Sequence, residues 1–264
     1  MKNIFIGISG QRQSGKSSLA KFLQYYVFYK NTRLSNLFTI NQKDEYPNDV
    51  ELISVTGHSI TVSDLWLHSQ IVSFADAPKN FLVDVMGLRR EQVFGSDEEK
   101  NTDTEYSWDK LPLFIRERYK NDKGDIPTGK MSSRRLMQIV LTDIFREMFS
   151  DSIWINRAIS KANADFHKDK ISIKNVGVEK YFTFIPDVRF VSEIEALKNL
   201  EDSYIIRLQN NNNKSPAGSH KSETELDNFD WTSLGNKVKI IDTTEISIHK
   251  KNFLASEFMN SVIA

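Results

Sequence analysis

Residues 4–17 read Ile4-Phe5-Ile6-Gly7-Ile8-Ser9-Gly10-Gln11-Arg12-Gln13-Ser14-Gly15-Lys16-Ser17. The last eight have the spacing G-x-x-x-x-G-K-[ST] of a phosphate-binding loop. Gly10 and Gly15 allow backbone turns that a side chain would block, so successive N–H groups converge into a nest for phosphate oxygens. Lys16 supplies a positive charge for the β- and γ-phosphates, and the Ser17 hydroxyl is placed to ligate Mg2+. Upstream, Ile4, Phe5, Ile6 and Ile8 form the apolar run of a buried parallel strand. Downstream, Leu19, Phe22, Leu23, Tyr26 and Val27 recur at helical spacing. The helix N-terminus therefore lies where the phosphates would sit, and its dipole favours anions. The competing reading is a glycine turn in an ordinary strand–helix unit.

Working outward, the 264 residues read as one α/β domain with insertions. Ile71-Val72-Ser73-Phe74 reads as a second core strand, and Pro78 suits the start of a helix continued by Phe81, Leu82, Val85 and Met86. A long helix is expected over about 132–149, with Ser132 or Ser133 as its cap, and another over Asp151–Asn163. Tyr181–Ile185 reads as a strand ended by Pro186 and Asp187, followed by a helix at about 190–199. Tyr204–Leu208 and Lys237–Ile241 read as further strands. Strands alternating with helices predict a parallel, doubly wound sheet. Residues 30–49 read as a polar excursion, and Val50–Val55 with Ser59–Val62 as a hairpin around Thr56-Gly57-His58. Residues 95–130, charged and rich in turn residues, read as a surface-exposed insertion. The run Gln209–Asn213, continuing into Lys214–Ser219, is either a loose surface loop or the tip of a lid that closes over nucleotide.

Lys and Arg number 35 and Asp and Glu 35, so no global field recruits nucleic acid or anionic membrane. The absence of cysteine excludes disulfides, thiol nucleophiles and Cys-ligated zinc. The five histidines have no metal-ligand spacing. The chain runs from Met1 straight into a core strand, without a signal peptide, and no apolar run approaches a membrane span. A cytoplasmic protein is expected.

Chemistry beyond the loop needs an acceptor. Asp187, just past a strand's carboxyl end, faces the crevice where ligands bind in such sheets. There it would hold Mg2+ through water or orient an acceptor, and Arg189 could clamp a phosphate in forked geometry. The alternative is a helix-capping aspartate with a solvated arginine. Arg134 and Arg135 open the long helix, and phosphoryl transfer needs cations around the equatorial oxygens. Asp143 and Arg146 lie further along that helix; a surface salt bridge between them is the alternative, worth little. The base-reading N-K-x-D of switch GTPases is absent, because Asn236-Lys237 is followed by Val238 and Lys239.

Together these segments resemble the deoxynucleoside monophosphate kinases of large, T-even-like tailed bacteriophages. Ser133-Arg134-Arg135-Leu136-Met137-Gln138, then Leu141-Thr142-Asp143, then Trp154 and Ile155, resembles the family's S-x-R-R-L-M-Q-x-L-G-T-D followed by a tryptophan. Ile185-Pro186-Asp187-Val188-Arg189 is similar to its P-D-x-R after a strand. Ile206-Arg207, then His220-Lys221-Ser222-Glu223, resembles the strand-end arginine and the H-x-[ST]-E of the lid. Ser73-Phe74-Ala75-Asp76-Ala77-Pro78-Lys79 resembles an A-x-P-[LI]-K element. Two features depart: Val140-Leu141-Thr142-Asp143 lacks the family's glycine, and Asp242-Thr243-Thr244-Glu245 stands where an Asn-Asp-Gly-like turn near adenine is expected.

The resemblance implies a three-layer P-loop kinase fold that moves the γ-phosphate of ATP onto a dNMP, with Mg2+. It implies acceptor-binding insertions at about 31–70 and 95–130 and a mobile lid at about 207–230. It implies that Gly10, Ser14, Gly15, Lys16, Ser17, Ser18 and Arg207 hold ATP, with Ser17 and Asp187 at the metal. Lys16, Arg134, Asp187 and Arg189 would serve catalysis. Arg135, Asp143, Arg146, Trp154, His220 and Glu223 would meet the acceptor or close over it. A homodimer in the host-cell cytoplasm, supplying phage DNA precursors without binding nucleic acid or membrane, is the family expectation. The competing expectations are a P-loop kinase for another small phosphorylated acceptor, such as phosphomevalonate, and a non-catalytic nucleotide switch.

Overall fold

The computed structural model describes residues 1–11, 13–31, 68–175, 177–212 and 224–264. The hairpin expected at 50–62, most of the 31–70 insertion, and lid residues His220 and Glu223 lie outside the described residues. The chain divides into two compact units, Met1–Ser73 with Ala158–Ala264, and Phe74–Arg157. Among the described residues there are seven strands: β1 (Lys2–Gly10), β2 (Ser69–Ile71), β3 (Asp103–Ser107), β4 (Lys130–Ser132), β5 (Lys180–Val188), β6 (Ser203–Gln209) and β7 (Val238–Asp242).

The first unit is built on a five-stranded sheet of order β2-β5-β1-β6-β7, with every pair parallel. Both faces are covered, which is why its central strands read as continuous apolar runs. Ile4, Ile6 and Ile8 point to one face and pack with Leu19, Leu23 and Val27 of the helix Lys16–Asn31. Ala255, Met259 and Val262 of the helix Ile248–Ile263 complete that core. On the other face Gly7 lets the helix Val191–Lys198 come close: a Cβ there would meet the Leu197 side chain at 2.6 Å. The result is the expected doubly wound α/β sandwich.

Several element boundaries differ from the expectation. β5 does not end at Pro186. Gly7 pairs with Ile185 and Ser9 with Val188, so Ile8 alone opposes Pro186 and Asp187 in a β-bulge. A proline has no N–H for the ladder, and a bulge is one of the few places in a sheet that accepts it. The strand expected at Ile71–Phe74 lies instead at Ser69–Ile71. Its Gln70 side chain donates to Thr183 Oγ1 (3.0 Å) and the Ala162 carbonyl (2.8 Å), and its Ser69 carbonyl accepts from Gln24 (3.2 Å). The helix expected at Asp151–Asn163 spans Ile153–Asn175, because Phe166 and Ile173 pack with Val178 and Tyr181. The helix Ile248–Ile263, capped by Ser247, was not anticipated.

The second unit has its own core of Leu82, Leu88, Val93, Trp108, Ile115, Met131, Leu136, Ile139 and Val140, beside the antiparallel pair β3–β4. Residues 95–130 are therefore more than a surface insertion: Trp108 and Ile115 are buried in that core. The long helix begins as expected, with Ser132 Oγ accepting the Arg135 N–H, and is α-helical over Ser133–Met137. From Gln138 to Phe149 it widens to π-helical winding, in which each amide reaches one residue further back.

Candidate active site

The loop between β1 and the helix Lys16–Asn31 has the backbone its spacing demands. Gly15 has φ +79°, and Gln13 takes the left-handed region at φ 60° without being glycine. A Cβ on Gly10 would lie 2.6 Å from Ser14 Oγ and 3.0 Å from the Leu208 Cβ, so glycine is required by close approach. Lys16 Nζ folds over the loop and donates to the Gly10 carbonyl (2.7 Å) and the Gln11 carbonyl (2.6 Å). Burial lowers its pKa to about 7, with Arg189 and Arg207 pushing the same way and Asp187 opposing them. Lys16 thus feels three other charged side chains of the first unit. Ser17 and Ser18 are exposed at the helix start, and Ser14 is half-buried.

Each partner of Lys16 is held by its own strand. The bulge at Pro186 and Asp187 is a device that re-aims a side chain at a strand end. The Asp187 carboxylate accepts from the Ser73 hydroxyl, just beyond β2. The following helix is capped by Glu193, whose carboxylate accepts the N–H groups of Arg189 (2.6 Å) and Phe190 (3.1 Å). The reading of Asp187 as the helix cap is overturned. Arg189 is exposed. Arg207, on β6 opposite Ser9, is buried and donates to Ser9 Oγ at 3.0 Å. Its guanidinium lies 4.9 Å from the centre of the Trp231 ring, and its buried Nε has no acceptor among the described residues. Burial lowers its proton affinity, and Asp227 opposes this.

The remaining sequence-predicted residues lie in the second unit. Arg134 donates to Asp97 Oδ1 (2.6 Å) and Asn101 Oδ1 (2.9 Å). Arg135 donates to Gln138 Oε1 (3.0 Å) and lies 5.5 Å from the centre of the Tyr119 ring. Tyr119 Oη donates to Asp143 Oδ2 at 2.6 Å. Burial, and then this bond, hold the phenol's proton on. Asp143 and Arg146 are both buried, so the surface salt bridge is excluded as a description of either. Trp154 donates to the Leu141 carbonyl (3.2 Å) and packs against Phe145.

Sequence reasoning missed several supporting groups. Glu193, three residues after Phe190, had the capping-box spacing as a usable signal. Ser73, Trp231 and Glu225, whose carboxylate accepts the Val191 N–H (2.8 Å), meet their partners through the fold and gave none.

A parallel sheet flanked by helices, with a glycine-rich loop and lysine at the first strand–helix turn, is consistent with a P-loop kinase-like fold. A family model for deoxynucleotide monophosphate kinases matches residues 80–233, more than half of the chain. The chain belongs to that family, and its activity is that of a deoxynucleotide monophosphate kinase. The match includes Arg134, Arg135, Asp143, Arg146, Trp154, Asp187, Arg189 and Arg207, whereas the loop Gly10–Ser17 lies before it. No curated protein matches the chain. Among the described residues no helix is long and apolar enough to cross a membrane.

Proposed function

We propose that this kinase takes the γ-phosphate from ATP at the loop Gly10–Ser17 and passes it to a deoxynucleoside 5′-monophosphate. One observation carries the reading. Lys16 rests on loop carbonyls within electrostatic reach of Arg189, Arg207 and Asp187. Three cations around one carboxylate is a charge pattern that suits a phosphate with a metal. Arg207 Nε, buried without an acceptor among the described residues, gives a further donor to that site.

The donor set also suits Mg2+, which takes hard oxygen ligands and keeps substrate phosphates and waters in its shell. Ser17 and Asp187 would be its protein ligands. When bound it would neutralise charge on the donor's phosphates. Lys16 would leave the Gly10 and Gln11 carbonyls for the β- and γ-phosphates. Loop N–H groups would hold the same oxygens, so the donor is oriented before transfer. Arg189 would stabilise charge on the transferring group, and Arg207, stacked on Trp231, would fix the donor. Arg135, Asp143, Arg146 and Trp154 form the proposed acceptor set, with His220 and Glu223 in the lid; Arg134, expected to serve catalysis and bonded here to Asp97 and Asn101, is grouped with them as a holder of the acceptor phosphate. A cytoplasmic homodimer of the phage type, supplying DNA precursors, belongs to the same proposal.

A coupled ADP-release assay tests it, with Mg·ATP against dTMP, dGMP, dCMP, dAMP and the matching ribonucleotides. Turnover on one or more dNMPs is expected, falling by about 10²–10³-fold or more in Lys16→Ala. Nucleotide binding without turnover on any of them would reject the reading.

A further inference from the structure

One charged side chain beside the loop has no role in this scheme. Lys251 lies in the helix Ile248–Ile263, outside the stretch that the family model matches. The residue is 7% exposed. Among the described residues its amino group has no hydrogen-bond or ion-pair partner. A lysine at the rim of a fold usually extends its ammonium to water or to a carboxylate. Among the described residues no carboxylate receives this one. A Cβ built on Gly15 would stand 2.6 Å from Lys251 Nζ, so the amino group lies directly against the loop at Gly15. Gly15 is required for its φ of +79°, and its bare Cα leaves room for this approach.

An unpaired buried ammonium costs free energy, and here burial lowers its proton affinity. The cost is offset when an anion arrives beside it. The nearest feature is the phosphate nest itself, at the residue immediately before Lys16.

We infer that Lys251 is a second phosphate-binding lysine of the loop, its ammonium held against Gly15 to take phosphate oxygens of the donor nucleoside triphosphate. The inference rests on the reading of Gly10–Ser17 as the donor site. It assigns the C-terminal helix a part in binding, in addition to its packing on the sheet through Ala255, Met259 and Val262.

The test is calorimetric titration of the wild type, Lys251→Met and Lys251→Arg with ATP, with inorganic tripolyphosphate and with adenosine, beside melting temperatures of the ligand-free proteins. Lys251→Met should bind ATP and tripolyphosphate about tenfold more weakly, the size of one charge-assisted hydrogen bond. Its KM for ATP should rise while the KM for dNMP and the binding of adenosine hold. The ligand-free variant should melt no lower than the wild type, because the uncompensated buried amine is gone. Lys251→Arg should recover part of the affinity. A merely structural lysine would give the opposite pair of results, a lower melting temperature with affinity for all three ligands lost together, and that would overturn the inference. Equal affinities for ATP and tripolyphosphate in the wild type and Lys251→Met would overturn it while leaving the loop as the donor site. Failure of the wild type itself to bind ATP or tripolyphosphate would remove the donor-site reading, and Lys251's role with it.

Discussion

The cations of the two units are held in different ways. In the first unit Lys16 lies on backbone carbonyls, Arg207 on a serine hydroxyl and a tryptophan face, and Arg189 at the surface. Among the described residues none of the three has a carboxylate salt-bridge partner. In the second unit Arg134 is bound to Asp97 at 2.6 Å and Arg135 to Gln138. A positive charge without a counter-ion raises the energy of the ligand-free protein and lowers it again when phosphate binds. An arginine already paired gains less from the same ligand, because it must exchange one anion for another. The first unit therefore carries the stronger bias towards phosphate, and the second the better-satisfied side chains.

The largest effect expected from this contrast is on turnover. Arg189→Ala should lower kcat by about 10²-fold, in the range seen when one pre-aimed donor to developing charge is removed. Arg134→Ala should act mainly on the KM for dNMP, by about tenfold or less. Its pair with Asp97 is partly exposed and worth little to stability. Steady-state kinetics with each substrate varied in turn separates the two. Equal losses of kcat in both variants would erase the distinction between the units.

The first unit was also the more legible in sequence. The turn between β1 and its helix could be read because its spacing is local: five residues from Gly10 to Ser14 and then Gly15-Lys16-Ser17 encode it. The parallel sheet followed from apolar runs such as Ile4–Ile8 and Tyr181–Ile185. Pro186 misled, since a proline usually closes a strand and here sits in a bulge that carries β5 on to Val188. β2 was misplaced because the Gln70 side chain and the Ser69 carbonyl find their hydrogen-bond partners on segments remote in sequence. The C-terminal helix was hidden because Lys250, Lys251 and Asn252 fill its first turns and Ser256 stands between its core positions. The second unit's core was hidden differently. Trp108 and Ile115 stand among charged and turn residues, so no periodicity marks them. Of the candidate site, Lys16, Asp187, Arg189 and Arg207 could be picked out singly. Their mutual influence, and the approach of Lys251 to Gly15, depend on which strand lies beside which.

A smaller effect should appear in the second unit. Tyr119 donates to the buried Asp143 carboxylate, so Tyr119→Phe leaves a charged acceptor short of one donor. The expected cost is about 1–3 kcal/mol. Amide hydrogen exchange should register it as faster opening within residues 74–157, with protection of β1, β5 and β6 unchanged. An equal loss of protection in those strands would mean that the units open together, and their contrast would then be chemical only.

The smallest effect concerns protons, and it measures the bias of the first unit directly. An unfolded lysine titrates near 10.4, whereas burial and two arginines bring Lys16 to about 7 in the folded chain. Between these values the unfolded chain holds more protons than the folded one, so the Lys16 contribution makes stability rise with pH from about 7 to about 10. Below about 7 the ammonium is charged in both states and its contribution is flat. Phosphates arriving at Lys16 favour the charged form, so donor binding should draw a proton back on. At pH 8 ATP binding should take up a fraction of a proton, approaching about one where the ligand-free lysine is mostly neutral. Calorimetry in two buffers of different ionisation enthalpy reads this uptake, and Lys16→Ala supplies the baseline for every other group. The same linkage makes apparent ATP affinity fall as pH rises above about 7, by less than tenfold per unit. Uptake identical in the wild type and Lys16→Ala would show that Lys16 is already charged before nucleotide arrives. The first unit's cations would then be as well satisfied as the arginines of the second, and the contrast between the units would have to be given up at its centre.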